Sequence, residues 1–147
     1  MKLPSNHTIV FTKDDTAALH RLGVSALYFF GSRAQGVAGP LSDFDFGVLM
    51  KDDVFSPSRE QDVYTELYAL FSSRVAPETQ EADIIDIVFL QSPRVPLELK
   101  AYIVANGALL FDAQPLSRSA FEERIALLNA DFEPLRAEMS RTLLARL

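Results

Sequence analysis

The sequence contains no cysteine and no tryptophan, and only two histidines, His7 and His20. Without cysteine there can be no disulfide, no thiolate nucleophile and no Cys-ligated zinc or iron-sulfur centre. The two histidines stand alone, with no matching nucleophile or acid pattern, and read as surface or structural residues. No stretch approaches the roughly 20 apolar residues of a membrane span, and Met1 to Val10 lacks the long apolar run of a secretory signal. The expectation is a soluble, cytoplasmic protein without a membrane partner. Basic residues are also scarce, 14 against 20 acidic ones, for a net charge of -6. A broad nucleic-acid face needs clustered Lys and Arg, so no direct nucleic-acid binding is expected and any polyanion handled should be small. A Gly-x4-Gly-Lys-Ser/Thr loop is missing too, which removes a Walker-type ATPase.

What remains is an ordinary globular composition, with 48% hydrophobic residues among 147 and no repeat, low-complexity stretch or interdomain linker. A chain of this length hides roughly 70% of its unfolded surface around one core. One domain over residues 1–147 is expected, with a helical tail from about 116. Thr12 and Asp15 form a capping-box pattern ahead of Ala18, Leu19 and Leu22, predicting a helix over 13–22 that Gly23 ends. The compact apolar run 26–30 reads as a buried strand stopping at Gly31. From Asp43 to Met50 polar and apolar residues alternate, Asp43, Asp45 and Gly47 on one side and Phe44, Phe46 and Val48 on the other, predicting a strand with one polar face. A helix is expected over 58–73, a strand over 84–90, a helix over 96–105 closed by Asn106-Gly107, and a short strand over 109–111. Phe121, Ile125, Leu128, Phe132, Leu135, Met139 and Leu143 recur at three- and four-residue steps, so the tail reads as a helix that Pro134 should break or kink. Its apolar stripe is longer than a small sheet needs, which suggests an interface in a homo- or hetero-oligomer.

The chemistry concentrates in one stretch, Gly31-Ser32-Arg33-Ala34-Gln35-Gly36 followed, after a further loop, by Asp43-Phe44-Asp45. A Gly-Ser pair after a buried strand lets backbone N–H groups and a hydroxyl approach a phosphate closely. Most such pairs are plain turns. Asp43 and Asp45, two apart on a strand, project from the same face and can share hard divalent cations. The plain alternative is an edge strand showing an acidic face to water. Together the two features are what metal-assisted phosphoryl or nucleotidyl transfer requires. Arg33 and Lys51 are each either phosphate contacts or solvated surface cations.

The sequence resembles the nucleotidyltransferase superfamily, whose signature is Gly-Ser followed at this spacing by Asp-x-Asp. The resemblance implies a third acid on a later strand. Asp86, flanked by Ile85 and Ile87, fits the hydrophobic-Asp-hydrophobic pattern. Asp83 is the rival, but residues at odd separation on a strand face opposite ways, so both cannot line the site. Over nearly the whole chain the closest similarity is to minimal nucleotidyltransferases of the MntA type, the antitoxin half of HEPN/MNT type VII toxin-antitoxin pairs. In these a Gly-hydrophobic-Leu-aromatic segment follows the third acid, here Gly107-Ala108-Leu109-Leu110-Phe111. One departure is Gln35, where family members often carry Arg.

The resemblance implies an α/β fold of the DNA polymerase β-like type, a small mixed sheet with flanking helices. It implies ATP as substrate, two Mg²⁺ ions held by Asp43, Asp45 and Asp86, and nucleotide contacts from Gly31, Ser32 and Arg33. It further implies transfer of AMP to a hydroxyl, a tyrosine's, of a HEPN toxin ribonuclease. Two rivals stay open at this point: an antitoxin acting by binding alone, and a small-molecule adenylyltransferase of the antibiotic-modifying kind, for whose extra acceptor domain 147 residues leave little room.

Overall fold

The computed structural model describes residues 9–31, 34, 44–52, 55–75 and 85–145. The first element, α1 (Lys13–Leu22), starts where sequence chemistry places it: Asp15 N–H donates to Thr12 Oγ1 and Thr12 N–H donates to Asp15 Oδ2, a closed capping box. Gly23 ends it at φ +86, reached without a Cβ penalty. Four strands follow, β1 (Val24–Phe30), β2 (Phe44–Met50), β3 (Ile85–Phe89) and β4 (Ala108–Asp112), interleaved with α2 (Pro57–Val75), α3 (Leu97–Asn106) and α4 (Pro115–Ala145). The expected elements are all present, with ends moved by at most two residues.

The sheet order is β3-β2-β1-β4, with β1 antiparallel to both its neighbours and β2 parallel to β3. This is the mixed sheet expected. Strand alternation sorts the side chains into two cores. Leu27, Phe29, Phe46, Val48 and Ile87 join Leu19 of α1 and Leu67 and Phe71 of α2 on one side. The rings of Phe46 and Phe71 stack there with centroids 4.3 Å apart. Ala26, Tyr28, Phe30 and Leu49 meet Ile103 of α3 and Phe121 and Ile125 of α4 on the other.

Two expectations need correction. The strand β2 lies inside the sheet, and among the described residues its supposedly polar face is polar at Asp45 alone: Gly47 is buried, and a β-carbon there would stand 2.9 Å from Ile103 Cγ2. Gly47 is small so that α3 can pack on the sheet, and the solvated-edge reading of the strand fails. At Gly107 α3 closes as expected, at φ -69; glycine is needed because a β-carbon would lie 2.6 Å from the Ile103 carbonyl oxygen and 3.2 Å from Tyr28. Lastly, α4 runs on through Pro134 instead of breaking. A proline removes one donor and crowds the carbonyl four residues back. The carbonyl left without its helical donor is that of Ala130, and the helix continues past it; Arg136 donates from Nη2 to the Asn129 side chain at 2.6 Å and to its carbonyl at 3.3 Å.

Two bonds anchor the helices. Tyr28 donates its hydroxyl to Glu122 Oε2 at 2.5 Å, and Arg118 links Glu122 to Asp112. Burial, then the Glu122 carboxylate, raises the Tyr28 phenol well above its usual range, so it stays a donor. Arg74 of α2 donates to Asp15 Oδ1 at 3.0 Å, tying α2 to α1. Burial pushes the Asp15 carboxyl upward, but Arg74 and the two Thr12 bonds outweigh it and the net shift is downward.

Thr12→Ala should cost about 1 kcal/mol by chemical denaturation. A carboxyl lowered in the folded state stabilises above its unfolded pKa of about 3.9 and loses that contribution as pH falls through the folded value. The penalty for Asp15→Asn should therefore shrink below pH about 4, followed by denaturation across the acid range. In α4 only Phe121 and Ile125 are buried, while Phe132, Leu135 and Met139 are 46%, 54% and 56% exposed. Truncation before Phe132 should leave the melting temperature nearly unchanged and weaken self-association or partner binding more than ATP binding; equal loss of both would make the tail part of the core.

Candidate active site

Of the residues singled out by sequence, Gly31, Asp45 and Asp86 are described, and they lie at one end of the sheet, the two acids on the face that carries α3 and α4. Parity puts Asp45 with Gly47 and Leu49 on this face, and Asp86 with Val88 and Leu90. Because β2 and β3 are parallel and Asp45 is the register partner of Asp86, the two carboxylates rise side by side from neighbouring strands, whose backbones are about 4.8 Å apart. Asp45 is half-buried in the interior strand and Asp86 is exposed on the edge strand. On its other side Asp45 pairs with Phe30, the last residue of β1.

Gly31 follows at once, at φ +86, a left-handed conformation that side chains disfavour. A β-carbon at Gly31 would clash with Asp45 Oδ2 and stand 3.3 Å from Asp45 Cγ. The sequence reading gave this glycine a single task, letting a phosphate approach. Geometry adds a second: the space beside its Cα belongs to the Asp45 carboxylate. Ser32, Arg33, Gln35, Asp43 and Asp83 lie outside the described residues.

Two acids in register, from adjacent strands and on one face, form a hard-oxygen donor pair suited to a divalent cation. Among the described residues no group of three or more acidic or histidine side chains is gathered for metal binding.

One neighbour was missed in the sequence. Tyr64 of α2 is half-buried; burial first, then the nearby Asp86 carboxylate, raises its phenol pKa, and its ring stacks on Tyr68 with centroids 6.2 Å apart. Helical spacing hints at the Tyr64/Tyr68 pair, but nothing in the sequence says that α2 passes beside Asp86. His20 is exposed, with its ring edge-on to Phe111 at 5.0 Å, the structural role expected of it. Lys51 hydrogen-bonds through its backbone to the Gly23 carbonyl, which places it at the opposite end of β2 from Asp45.

Gly31→Ala should remove nucleotide-dependent activity while leaving a folded protein destabilised by about 1–2 kcal/mol from the left-handed backbone alone, plus the clash with Asp45. In an Asp45→Ala background the clash is gone, so the same substitution should cost less stability. Additive losses in this double-mutant cycle, measured by urea denaturation, would refute the close approach.

Several solved structures share the fold. One, described as a toxin-antitoxin with AMP-PNP, matches with a TM-score of 0.63 and 18% identity over 90% of this chain and 99% of that one. Another, a tri-AMPylated Shewanella oneidensis HEPN toxin in complex with MNT antitoxin, matches with a TM-score of 0.57 and 16% identity over 88% and 95%. A toxin-antitoxin MntA-HepT complex gives 0.57 and 15% over 90% and 99%. No curated protein sequence matches the chain. Residues 16–116, a span holding Gly31, Asp45 and Asp86, match the family described as polymerase beta, nucleotidyltransferase, and with two thirds of its length inside that match the chain belongs to this family.

Proposed function

We propose that this nucleotidyltransferase moves AMP from ATP to a tyrosine hydroxyl of a cognate HEPN toxin ribonuclease and so neutralises it. The observation that carries this reading is the in-register pair Asp45 and Asp86 above Gly31, in a fold shared with antitoxins solved beside HEPN toxins, one of them AMPylated. Gly31, Ser32 and Arg33 would cradle the triphosphate through backbone N–H groups, a hydroxyl and a cation. Asp43, Asp45 and Asp86 would hold two Mg²⁺, whose chemistry there is to neutralise charge developing on the α-phosphoryl group and the departing pyrophosphate.

The exposed edge position of Asp86 makes it the carboxylate open to an incoming hydroxyl. In the transfer the tyrosine oxygen bonds to the α-phosphorus, the bridging α–β P–O bond breaks, pyrophosphate leaves, and the phenol proton passes to Asp86. The added AMP brings bulk and negative charge to the toxin and repels its polyanionic RNA substrate. Such a protein would work in the cytoplasm, where nucleotide and toxin are found together.

Co-expression with the HEPN protein of the neighbouring reading frame should add AMP to it, read by mass spectrometry, and block its RNase activity. Asp43→Asn and Asp45→Asn should abolish both effects with the fold intact. Asp86→Asn should lower the transfer rate by about 10²–10⁴-fold, the usual worth of a positioned proton acceptor, and Asp83→Asn far less. The reverse ranking would transfer the role to Asp83. If Asp45→Asn neutralised the unmodified toxin as well as the wild type does, inhibition by binding alone would replace this reading.

A further inference from the structure

The sheet ends at β3, and no described strand pairs with its outer edge. Which backbone groups face outward follows from the ladder. Leu90 N–H donates to the Val48 carbonyl at 2.9 Å, so Leu90, Val88 and Asp86 direct their N–H and C=O groups toward β2, and Ile85, Ile87 and Phe89 direct theirs away. The Phe89 carbonyl is taken up by Ser92 N–H. Ile87 thus offers a donor and an acceptor at the open edge. Beside this edge lies a groove of about 480 Å³, with Gln61 and Tyr64 of α2 on one wall and Ile87, Phe89, Arg94 and Val95 on the other. Arg94 and Glu60, paired at 2.8 Å, close one part of it, and Tyr64 connects it to the Asp86 carboxylate.

We infer that this edge receives the acceptor: an extended segment of the protein substrate adds to β3 as a fifth strand, with the hydroxyl-bearing residue opposite Asp86. The inference rests on the proposed function and specifies how its protein substrate is held. A strand added to β3 lies about 4.8 Å away, and the residue opposite Asp86 projects from the same sheet face. Asp45, Asp86 and the acceptor side chain then form one row across three strands, delivering the hydroxyl to the carboxylate assigned its proton. The groove takes the side chains that alternate to the other face. Main-chain bonds supply affinity for any extended sequence, while register decides which side chain reaches the acids, because a shift of one residue turns it to the wrong face. The opposite sheet edge, β4, is separated from Asp86 by two strands and offers no such row.

The test uses the full chain, the HEPN protein as acceptor and a non-hydrolysable ATP analogue. In the saturated complex, amide hydrogen exchange at Ile87 should slow at least about tenfold, while Asp86 and Val88, already bonded to β2, change little. Gln61→Trp, an exposed substitution that fills the groove, should raise KM for the protein acceptor about tenfold or more, with kcat and ATP affinity retained. Moving the acceptor tyrosine by one residue within its segment should abolish its modification. AMP transfer accompanied by unchanged Ile87 exchange, an unaltered KM in Gln61→Trp or equal modification of the shifted tyrosine would overturn strand addition and leave the proposed function standing. No AMP on the HEPN protein at all would bring down the proposed function, and this inference with it.

Discussion

The carboxylate of Asp45 and the backbone of Gly31 occupy adjoining space, and the arrangement of the site follows from that contact. Asp45 sits in an interior strand, where a charge is costly unless water, a cation or hydrogen-bond donors reach it. The end of β1 gives way at that point: the strand stops at Phe30, the partner of Asp45, and the chain turns through a left-handed glycine without a side chain. The same turn that opens room for the carboxylate starts the loop whose amides are proposed to meet the phosphates. The proposed nucleotide and metal chemistry would therefore converge for a packing reason as well as an electrostatic one.

The two sheet faces divide the work. Toward α1 and α2 the core is aromatic and closed, with Phe29, Phe44, Phe46 and Phe71 in ring contact. Toward α3 and α4 the cover is incomplete. Ile103 reaches down to Gly47, one alternate position along the strand from Asp45, so the helix covers the strand up to the point where the acids begin.

Much of this was legible in the sequence because it depends on short-range rules. The Thr12 capping box, the alternation that sets Asp45 apart from Phe44 and Phe46, and the glycine stop after Phe30 are each settled within a few residues of chain. What could not be read required knowledge of which strands are neighbours. The register of Asp45 with Asp86 spans forty-one positions and arises from the parallel β2-β3 crossover; Gly47 looked like part of a polar face until α3 was known to lie on it; Tyr64 gained meaning only from the path of α2. Pro134 misled for the opposite reason: a local rule was applied correctly, and the helix tolerates the one lost bond and runs on to Ala145.

The long helix has a mechanical consequence. Its last buried residue is Ile125, but Arg136 still pairs with Glu98 of α3 at 3.3 Å, so the free overhang runs from there to Ala145, about 14 Å at a rise of about 1.5 Å per residue. Its root is fastened through Glu122 to Tyr28, on the strand that ends at Gly31. Any load on the free end therefore reaches the body by two routes, through Glu122 and Tyr28 to β1 and through Arg136 and Glu98 to α3, and the missing hydrogen bond at Pro134 lies between these two fastenings.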